Sequence, residues 1–239
     1  MTLQHKPGTT WDEVYRRARQ AAPEAFETDR IANLVDGEWQ FVGETRPHAL
    51  AIDASSIPRP PRIDKQTAVA AVEASARQHV TWSKVPLDER QRRVQAALGL
   101  LREHRDTLAL LLMWEIGKPW RIACADVDRC VDGVDWYLKE IERQMEGRTP
   151  LAGPVSNIAS WNYPLSVLVH AELAQLLAGS AVIAKTPSQG GFHALTLSHA
   201  LMVRAGLPVT LLSGIGGDLS DALISSPQLG ALAFVGGRS

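Results

Sequence analysis

Residues 155–187, VSNIASWNYPLSVLVHAELAQLLAGSAVIAKTP, alternate between two kinds of apolar pattern. A short run rich in β-branched residues reaches Ser160, a longer pattern with helical spacing covers 165–178, and a second short run ends at Lys185. A strand, a helix and a strand at this spacing predict a right-handed βαβ unit. The two strands are expected to be parallel neighbours in a sheet that is covered on both faces, so that both strands are buried.

The same alternation continues toward the C-terminus. The predicted strands cover 155–160, 181–185, 209–213 and 231–235, and the helical patterns between them cover 165–178, 192–205 and 219–225. This repetition predicts an α/β protein with a Rossmann-like parallel sheet flanked by helices.

A helical segment is predicted before the sheet, at 63–147. Asp64 is expected to cap its first helix, and Gly117 and Pro119 to stop its third. The buried positions of the first helix are predicted at Ala68, Val69, Ala71, Val72 and Ala76, and the later helices at 87–104, 106–120 and 126–145.

Residues 1–62 are predicted to form an N-terminal arm. This arm contains a charged helix at 11–20, a hairpin around Asp36-Gly37 within 33–43, and a proline-rich extended connector at 55–64. The remaining domain, 63–239, is divided into the helical part, 63–147, and the βα-repeat part, 153–239.

The composition excludes several classes of protein. The 239 residues carry 25 basic and 26 acidic side chains, a net charge of −1, which does not indicate binding to nucleic acid or to a membrane surface. The first residues lack the apolar core of a secretory signal, and the longest apolar runs are too short to span a bilayer. Two cysteines do not suggest a disulfide framework. We therefore expect a cytoplasmic protein.

Unusual residues follow the predicted strands, at the ends where parallel sheets bind ligands. They are Trp161-Asn162, Lys185, the glycines 214, 216 and 217, and Gly236-Gly237. Taken alone, Lys185 is more typical of a solvated lysine at the end of a strand. Together with the hydroxyls of Thr186 and Ser188, its ammonium suits ribose or phosphate oxygens. The glycines do not complete the G-x-G-x-x-G motif. Asp218 is expected to cap the next helix, whose open N-terminus would attract anions.

Other polar residues are interpreted as structural. Asp128, Asp132 and Asp135 share one helix face and are expected to be solvated rather than to bind a metal, so no metal site is predicted. Cys124 and Cys130 lie about 240° apart around a helix and are expected to be core residues. His170 is expected to be a core or boundary histidine.

The chain resembles the amino-terminal, cofactor-binding half of the NAD(P)-dependent aldehyde dehydrogenase superfamily. The matching stretches run through 33–239 in the family's order and include NLVDGEWQ, WEIGKPW, SNIASWNYPL, AGSAVIAKTPSQ and the segment from AGLPVTLLSGIGG to ALAFVGG. The resemblance implies an incomplete aldehyde dehydrogenase fold, in which the catalytic domain is absent.

In this family the asparagine of the W-N-x-P motif, here Asn162, donates its amide to the aldehyde oxygen as a cysteine attacks. A preorganised donor of this kind is typically worth about 3–4 kcal/mol. Trp161 and Pro164 are expected to hold the amide in place.

The resemblance also implies a dinucleotide site. Lys185 would bind the adenosine ribose or its phosphate, and the segment 234–237 would approach the phosphates and nicotinamide. The implied cofactor-binding residues are Ser160, Trp161, Lys185, Pro187, Ser188, Gly214, Gly217, Phe234, Gly236 and Gly237. Relatives strict for NAD+ usually carry glutamate where this chain has Ser188, so NADP+ is expected to be accepted or preferred. The alternative is that Ser188 only relaxes the choice and both cofactors bind about equally.

The activity that the resemblance implies is oxidation of a small-molecule aldehyde to a carboxylate through a cysteine thiohemiacetal. The family's nucleophilic cysteine and general-base glutamate lie beyond the last matching segment, so a truncated, inactive chain is expected. The full-length form is expected to be a homo-oligomer, although the stretch after Gly147 is shorter than usual. Two alternatives stay open: a non-catalytic dinucleotide-binding or partner-binding module, and a reductase of acyl thioesters.

Overall fold

The computed structural model describes residues 9–236 of the chain. The α-helices are α1 (Trp11–Ala21), α2 (Lys65–Trp82), α3 (Leu87–Glu103), α4 (Arg105–Ile116), α5 (Trp120–Met145), α6 (His170–Leu177), α7 (Phe192–Arg204) and α8 (Gly216–Leu223). The strands are β1 (Asn33–Val35), β2 (Glu38–Gln40), β3 (His48–Ala49), β4 (Ser56–Ile57), β5 (Val155–Ala159), β6 (Val182–Lys185), β7 (Val209–Leu212) and β8 (Ala231–Val235). A π-helical turn, Pro164–Val169, leads directly into α6.

The predicted α/β fold with a Rossmann-like sheet is confirmed. The main sheet has the order β2-β1-β7-β6-β5-β8, and β7, β6, β5 and β8 are all parallel. Helices α2 and α8 cover one face through a cluster that includes Ala71, Ile183 and Leu219. The other face packs on the larger core, to which α3–α7 contribute.

Burial on both faces is seen for β6 and β7 but not for β8. Strand β8 lies at the edge of the sheet, and Leu232, Phe234 and Val235 are 42%, 57% and 51% exposed. Its only strand partner within residues 9–236 is β5. An apolar pattern alone does not reveal this, because it is the same for a central strand and for an uncovered edge strand.

The predicted hairpin is confirmed, and it extends the main sheet. Asp36 and Gly37 both have positive φ, 52° and 80°, as a two-residue hairpin turn with the twist of the flanking strands requires. Strand β1 also pairs antiparallel with β7 through Leu34 and Leu211. The hairpin is therefore continuous with the Rossmann-like sheet.

The helical segment forms largely as expected, with one error in its buried face. Asp64 caps α2 by accepting a hydrogen bond from the Thr67 amide at 2.7 Å. Val69, expected to be buried, is 41% exposed, and Ala76 is half-buried. The packed stripe instead continues through polar residues, Ser75 and His79, which a purely apolar pattern misses.

Two helix starts were predicted too late. Helix α5 begins at Trp120, because Pro119 stands just before its first turn, where the missing N–H of proline costs nothing. Helix α8 begins at Gly216, so Asp218 lies in its first turn and does not cap it; Ile215 occupies the cap position.

The residues interpreted as structural are placed accordingly. Cys124 and Cys130 are unpaired and buried on α5, and His170 is half-buried against Tyr137. Asp128 and Asp135 are partly exposed, as expected, and they also form ion pairs with Arg105 and Arg102. Within residues 9–236, the helices are too short or too polar to cross a membrane.

Candidate functional site

Four loops meet at one edge of the sheet, because β7, β6, β5 and β8 are parallel neighbours. Lys185, the last residue of β6, pairs with Ile158 of β5 and with Leu212 at the end of β7. Ala159 of β5 pairs with Val235 of β8. This edge gathers the segments that contain the predicted site residues Ser160, Trp161, Asn162, Lys185, Pro187, Ser188, Gly214, Gly217, Phe234 and Gly236; Gly237 lies outside the described residues.

Asn162 presents its amide nitrogen to solvent. The Ser160 hydroxyl donates to Asn162 Oδ1 at 2.6 Å, so the amide oxygen already has a hydrogen-bond partner within the protein. No acceptor among the described residues bonds to Asn162 Nδ2, and the residue is exposed. The amide can therefore donate both of its hydrogens to a ligand at this edge.

The turn that carries Asn162 rests on a buried ion pair. Lys118 Nζ donates to Asp126 Oδ2 at 2.5 Å and lies 4.0 Å from the centre of the Tyr163 ring. Asp126 Oδ1 accepts from the Ser166 amide at 2.8 Å, in the first turn of the π-helix. Burial lowers the pKa of Lys118, and the Asp126 carboxylate opposes that effect. This pair ties the turn to α5.

Trp161 was expected to hold the Asn162 amide in place together with Pro164, but only the proline is buried. The indole of Trp161 is 39% exposed, whereas Pro164 is buried at the start of the π-helical turn. Gly191 lies so close to Pro164 that a Cβ at Gly191 would stand 3.2 Å from Pro164 Cγ. The proline, rather than the indole, anchors the turn.

Lys185 is a buried cation without a carboxylate partner, so the interpretation as a solvated lysine is wrong. The residue is 9% exposed, and its Nζ donates to the Thr186 carbonyl at 3.0 Å. Within residues 9–236 no carboxylate forms an ion pair with it, and burial lowers its pKa. An ammonium carries three donors, so Lys185 has hydrogens left for a ligand.

The loop after β6 contains one buried hydroxyl, that of Thr186, and one exposed hydroxyl, that of Ser188. Thr186 is buried, and its hydroxyl donates to the Leu212 carbonyl at 3.3 Å. Pro187 is also buried, but Ser188 is exposed. The exposed hydroxyl of this loop is therefore that of Ser188.

The predicted glycines differ in how closely other atoms pack against them. A Cβ at Gly214 would stand 2.7 Å from Leu219 Cδ1, so packing excludes larger residues there. A Cβ at Gly217 would meet nothing within 4 Å, and one at Gly236 would lie 3.0 Å from the Phe234 ring. Protein packing therefore explains Gly214 but not Gly217.

Two residues near the loop after β6 have no role in the sequence-based prediction. Glu115 is buried, and its carboxylate accepts from the amides of Phe192 and His193 at 2.7 and 3.2 Å, which fixes the start of α7. Arg59, in the proline-rich connector, donates to the Ser188 carbonyl at 3.2 Å. Glu115 could have been found from the sequence, because it lies in the WEIGKPW motif. Arg59 could not, because its contact with Ser188 spans 129 residues and no motif surrounds it.

Neither thiol suits a nucleophile. Burial raises the pKa of Cys124, and burial raises that of Cys130 well above its usual value. Within residues 9–236 no group of His, Cys, Asp or Glu is arranged to hold a metal ion. A surface depression of about 600 Å³ lies beside α1, and none of its lining residues belongs to the predicted site.

Comparison with known proteins identifies the family. The family model described as "Aldehyde dehydrogenase family" matches residues 44–239. The chain belongs to the aldehyde dehydrogenase family. The resemblance seen in the sequence is thereby confirmed.

Individual relatives are moderately similar to the chain. A succinate-semialdehyde dehydrogenase [NADP(+)] of Escherichia coli is 27% identical over 85% of the chain and 46% of that protein. An NADP-dependent glyceraldehyde-3-phosphate dehydrogenase of Pisum sativum is 29% identical over 90% of the chain and 48% of that protein. The chain spans about half the length of the curated relatives it matches.

Solved structures share the fold of the chain. An NAD-dependent benzaldehyde dehydrogenase of Corynebacterium glutamicum superposes with a TM-score of 0.77 at 22% identity, over 86% of this chain and 49% of that one. At that identity the likeness concerns the fold.

Proposed function

We propose that this chain is the cofactor-binding portion of an NAD(P)+-dependent aldehyde dehydrogenase that oxidises a small aldehyde to a carboxylate. The observation that carries the proposal is the buried, carboxylate-free ammonium of Lys185 at the sheet edge that also holds Asn162. A cation in that environment is costly unless an anion or several acceptors approach it. The relatives named as NADP- or NAD-dependent support the same cofactor class.

The residues fit a nicotinamide dinucleotide. When bound, NAD(P)+ supplies the acceptor for the hydride that leaves the substrate. Lys185 and Ser188 bind the adenosine ribose and, in NADP+, its 2′-phosphate, through the ammonium and the hydroxyl. The other proposed cofactor-binding residues are Ser160, Trp161, Pro187, Gly214, Gly217, Phe234, Gly236 and Gly237.

Asn162 is the proposed oxyanion donor. Because Ser160 occupies its amide oxygen, the amide nitrogen is the group that turns toward the substrate oxygen, where negative charge develops as a nucleophile adds. Lys118 and Asp126 hold the turn from beneath. The nucleophile and the general base are proposed to belong to the rest of the full-length protein.

The 239-residue chain alone is proposed to be inactive toward aldehydes. Its two thiols are buried on α5, with pKa values raised by burial, and the thiolate is the form that attacks. Aldehyde-dependent formation of NAD(P)H by the purified chain, abolished by Cys124→Ser or Cys130→Ser, would contradict this.

NADP+ is proposed to be preferred over NAD+. A carboxylate three residues after the strand-ending lysine would repel a 2′-phosphate, whereas the exposed hydroxyl of Ser188 can donate to it. Calorimetric titration of the chain should give tighter binding of NADP+ than of NAD+, and Ser188→Glu should reverse the order.

Gln189→Glu is the matched control, because it adds the same charge one residue away. It should change the preference less than Ser188→Glu does. Tighter NAD+ binding by the wild type, or a Ser188→Glu variant that keeps its full NADP+ affinity, would overturn the proposed preference.

A role as a non-catalytic dinucleotide-binding or partner-binding module is a second candidate. The exposed apolar side chains of β8 favour it, since such a strand edge can pair with another chain. A homo-oligomer of the full-length protein is proposed from the family alone. A cytoplasmic location is proposed from the two unpaired cysteines.

A further inference from the structure

The proline-rich connector brings an arginine onto the loop after β6. Arg59 Nη1 donates to the Ser188 carbonyl at 3.2 Å, and Arg59 Nη2 lies 2.8 Å from His48 Nδ1. The guanidinium stacks over the Phe192 ring at 5.2 Å, at the start of α7. The side chain is thus held in one position beside Ser188, the residue proposed to discriminate between the two cofactors.

This guanidinium has no counter-ion among residues 9–236. Its two terminal nitrogens contact a backbone carbonyl and an imidazole, both of them neutral acceptors. Its Nε is buried and has no hydrogen-bond partner among the described residues. Arg30 differs: it also lies over a phenylalanine ring, Phe41, but is bonded to the Glu27 carboxylate.

The surroundings of Arg59 favour an anion. Burial lowers the pKa of Arg59, and the positive charge of Arg62 lowers it further. The charge of Glu115 acts in the opposite direction, but both of its carboxylate oxygens accept from the amides at the start of α7. An anion beside Arg59 would therefore offset both the desolvation of the guanidinium and its repulsion by Arg62.

His48 is the group that orients the guanidinium. Burial lowers the pKa of His48, so its ring is neutral near pH 7 and Nδ1 can accept from Arg59. The imidazole also meets the Phe192 ring edge-on at 5.3 Å. Arg59 is therefore positioned before any ligand binds.

We propose that Arg59 is a specificity-determining residue that binds the 2′-phosphate of NADP+ together with Lys185 and Ser188. The inference rests on the proposed function. The phosphate would be met by an ammonium and a guanidinium from two distant parts of the chain, and by the hydroxyl of Ser188, three residues after Lys185. NAD+ has only a hydroxyl at that position, so Arg59 contributes to NADP+ affinity and hardly to NAD+ affinity.

The test is calorimetric titration of the 239-residue chain and its Arg59→Gln variant with NADP+ and NAD+. Losing a charge-assisted hydrogen bond should weaken NADP+ binding about 10- to 100-fold. NAD+ binding should stay within about twofold of wild type. The probes 2′,5′-ADP and 5′-AMP should differ in the same way, because they differ only in the 2′-phosphate.

Two further variants sharpen the result. Arg59→Lys keeps the charge but not the planar geometry, and it should retain part of the NADP+ affinity. Arg30→Gln removes an arginine that also stacks on a phenylalanine but pairs with a carboxylate, and it should leave both affinities unchanged. Should Arg59→Gln fail to fold, Arg59→Lys provides the same comparison, because a loss of NADP+ affinity with NAD+ affinity retained is expected there too.

Equal weakening of NADP+ and NAD+ by Arg59→Gln would overturn the inference, because Arg59 would then only hold the loop. Unchanged NADP+ affinity in that variant would overturn it as well. A wild-type chain that binds neither cofactor would contradict the proposed function itself. If the wild-type chain binds both cofactors and Arg59→Gln leaves the ratio of the two affinities unchanged, this inference alone would be contradicted.

Discussion

Lys118 and Lys185 are both buried ammonium groups, but only Lys118 has a carboxylate beside it. The pair of Lys118 and Asp126 is nearly inaccessible to solvent, at 9% and 0% side-chain exposure, and it supports the turn of Asn162. Lys185 keeps its remaining donors for a ligand. The same residue type therefore serves structure in one place and the proposed function in the other.

Asp126→Asn should destabilise the fold markedly. The asparagine oxygen can still accept from the Ser166 amide, but Lys118 is left buried without a counter-charge, which typically costs about 3–5 kcal/mol of unfolding free energy. Urea denaturation measures the change. Asp128→Asn, on the same helix, removes a half-exposed pair with Arg105 and should cost under about 1 kcal/mol. Equal losses in the two variants would refute a special role for the buried pair.

The sequence indicates some of the proposed site residues but not others. Asn162 and Lys185 could be proposed from the sequence because each follows a predicted strand in a recognisable motif. Asp126 could not, because its partners Lys118 and Ser166 lie eight and forty residues away. Arg59 was missed for the same reason. A motif identifies a residue from its neighbours in the chain, whereas buried pairing depends on which helices and loops pack together.

Helices α6 and α7 are joined by a buried polar contact. His199 Nε2 lies 3.2 Å from Glu172 Oε1, and His199 Nδ1 lies 2.8 Å from the Leu195 carbonyl. Burial lowers the pKa of His199, but the charge and hydrogen bond of Glu172 outweigh it, so the pKa is raised above 6.5. With an acceptor at each nitrogen, the imidazolium is the form that the fold stabilises.

The unfolding free energy should therefore carry a pH-dependent contribution from His199. A raised folded-state pKa makes this contribution complete below the unfolded value of about 6.5, and it is lost as pH rises through the folded value. Burial lowers the pKa of His48 and His170, which gives the opposite slope. The measurement is thus the difference between wild type and His199→Gln in chemical denaturation at several pH values. A difference that grows with rising pH would contradict the assignment.

Elements were predicted better than their ends. The strands of the parallel sheet were placed within one residue, since β-branched runs bounded by loops are distinctive. The starts of α5 and α8 were missed because a proline and two glycines looked like breakers. The π-helical turn after Tyr163 gives no periodic signal that separates it from an α-helix.

Strand β8 gives the sheet an apolar edge in the described part of the protein. The edge strand β8 exposes apolar side chains and leaves one row of backbone groups unpaired among residues 9–236. The order of the strands was not predictable in full, because the position of β1 beside β7 depends on a contact between Leu34 and Leu211, far apart in the chain.

The 239-residue chain should self-associate through β8. An exposed apolar strand edge favours pairing with another copy, and a lysine on such an edge opposes it. Light scattering should show mass increasing with concentration for the wild type. Phe234→Lys, at a 57% exposed position, should stay monomeric over the same range. A wild type that remains a monomer at high concentration would refute the prediction.

The measurement that most directly tests a dinucleotide site at the carboxyl edge of the sheet is an NMR titration of the isotope-labelled chain with NADP+. Saturable changes in backbone amide shifts are expected in 160–163, 185–191 and 213–218, the segments that follow β5, β6 and β7. Lys185→Ala should weaken that binding about tenfold or more. No saturable change, or changes concentrated at the opposite edge of the sheet and unaffected by Lys185→Ala, would contradict the proposed site.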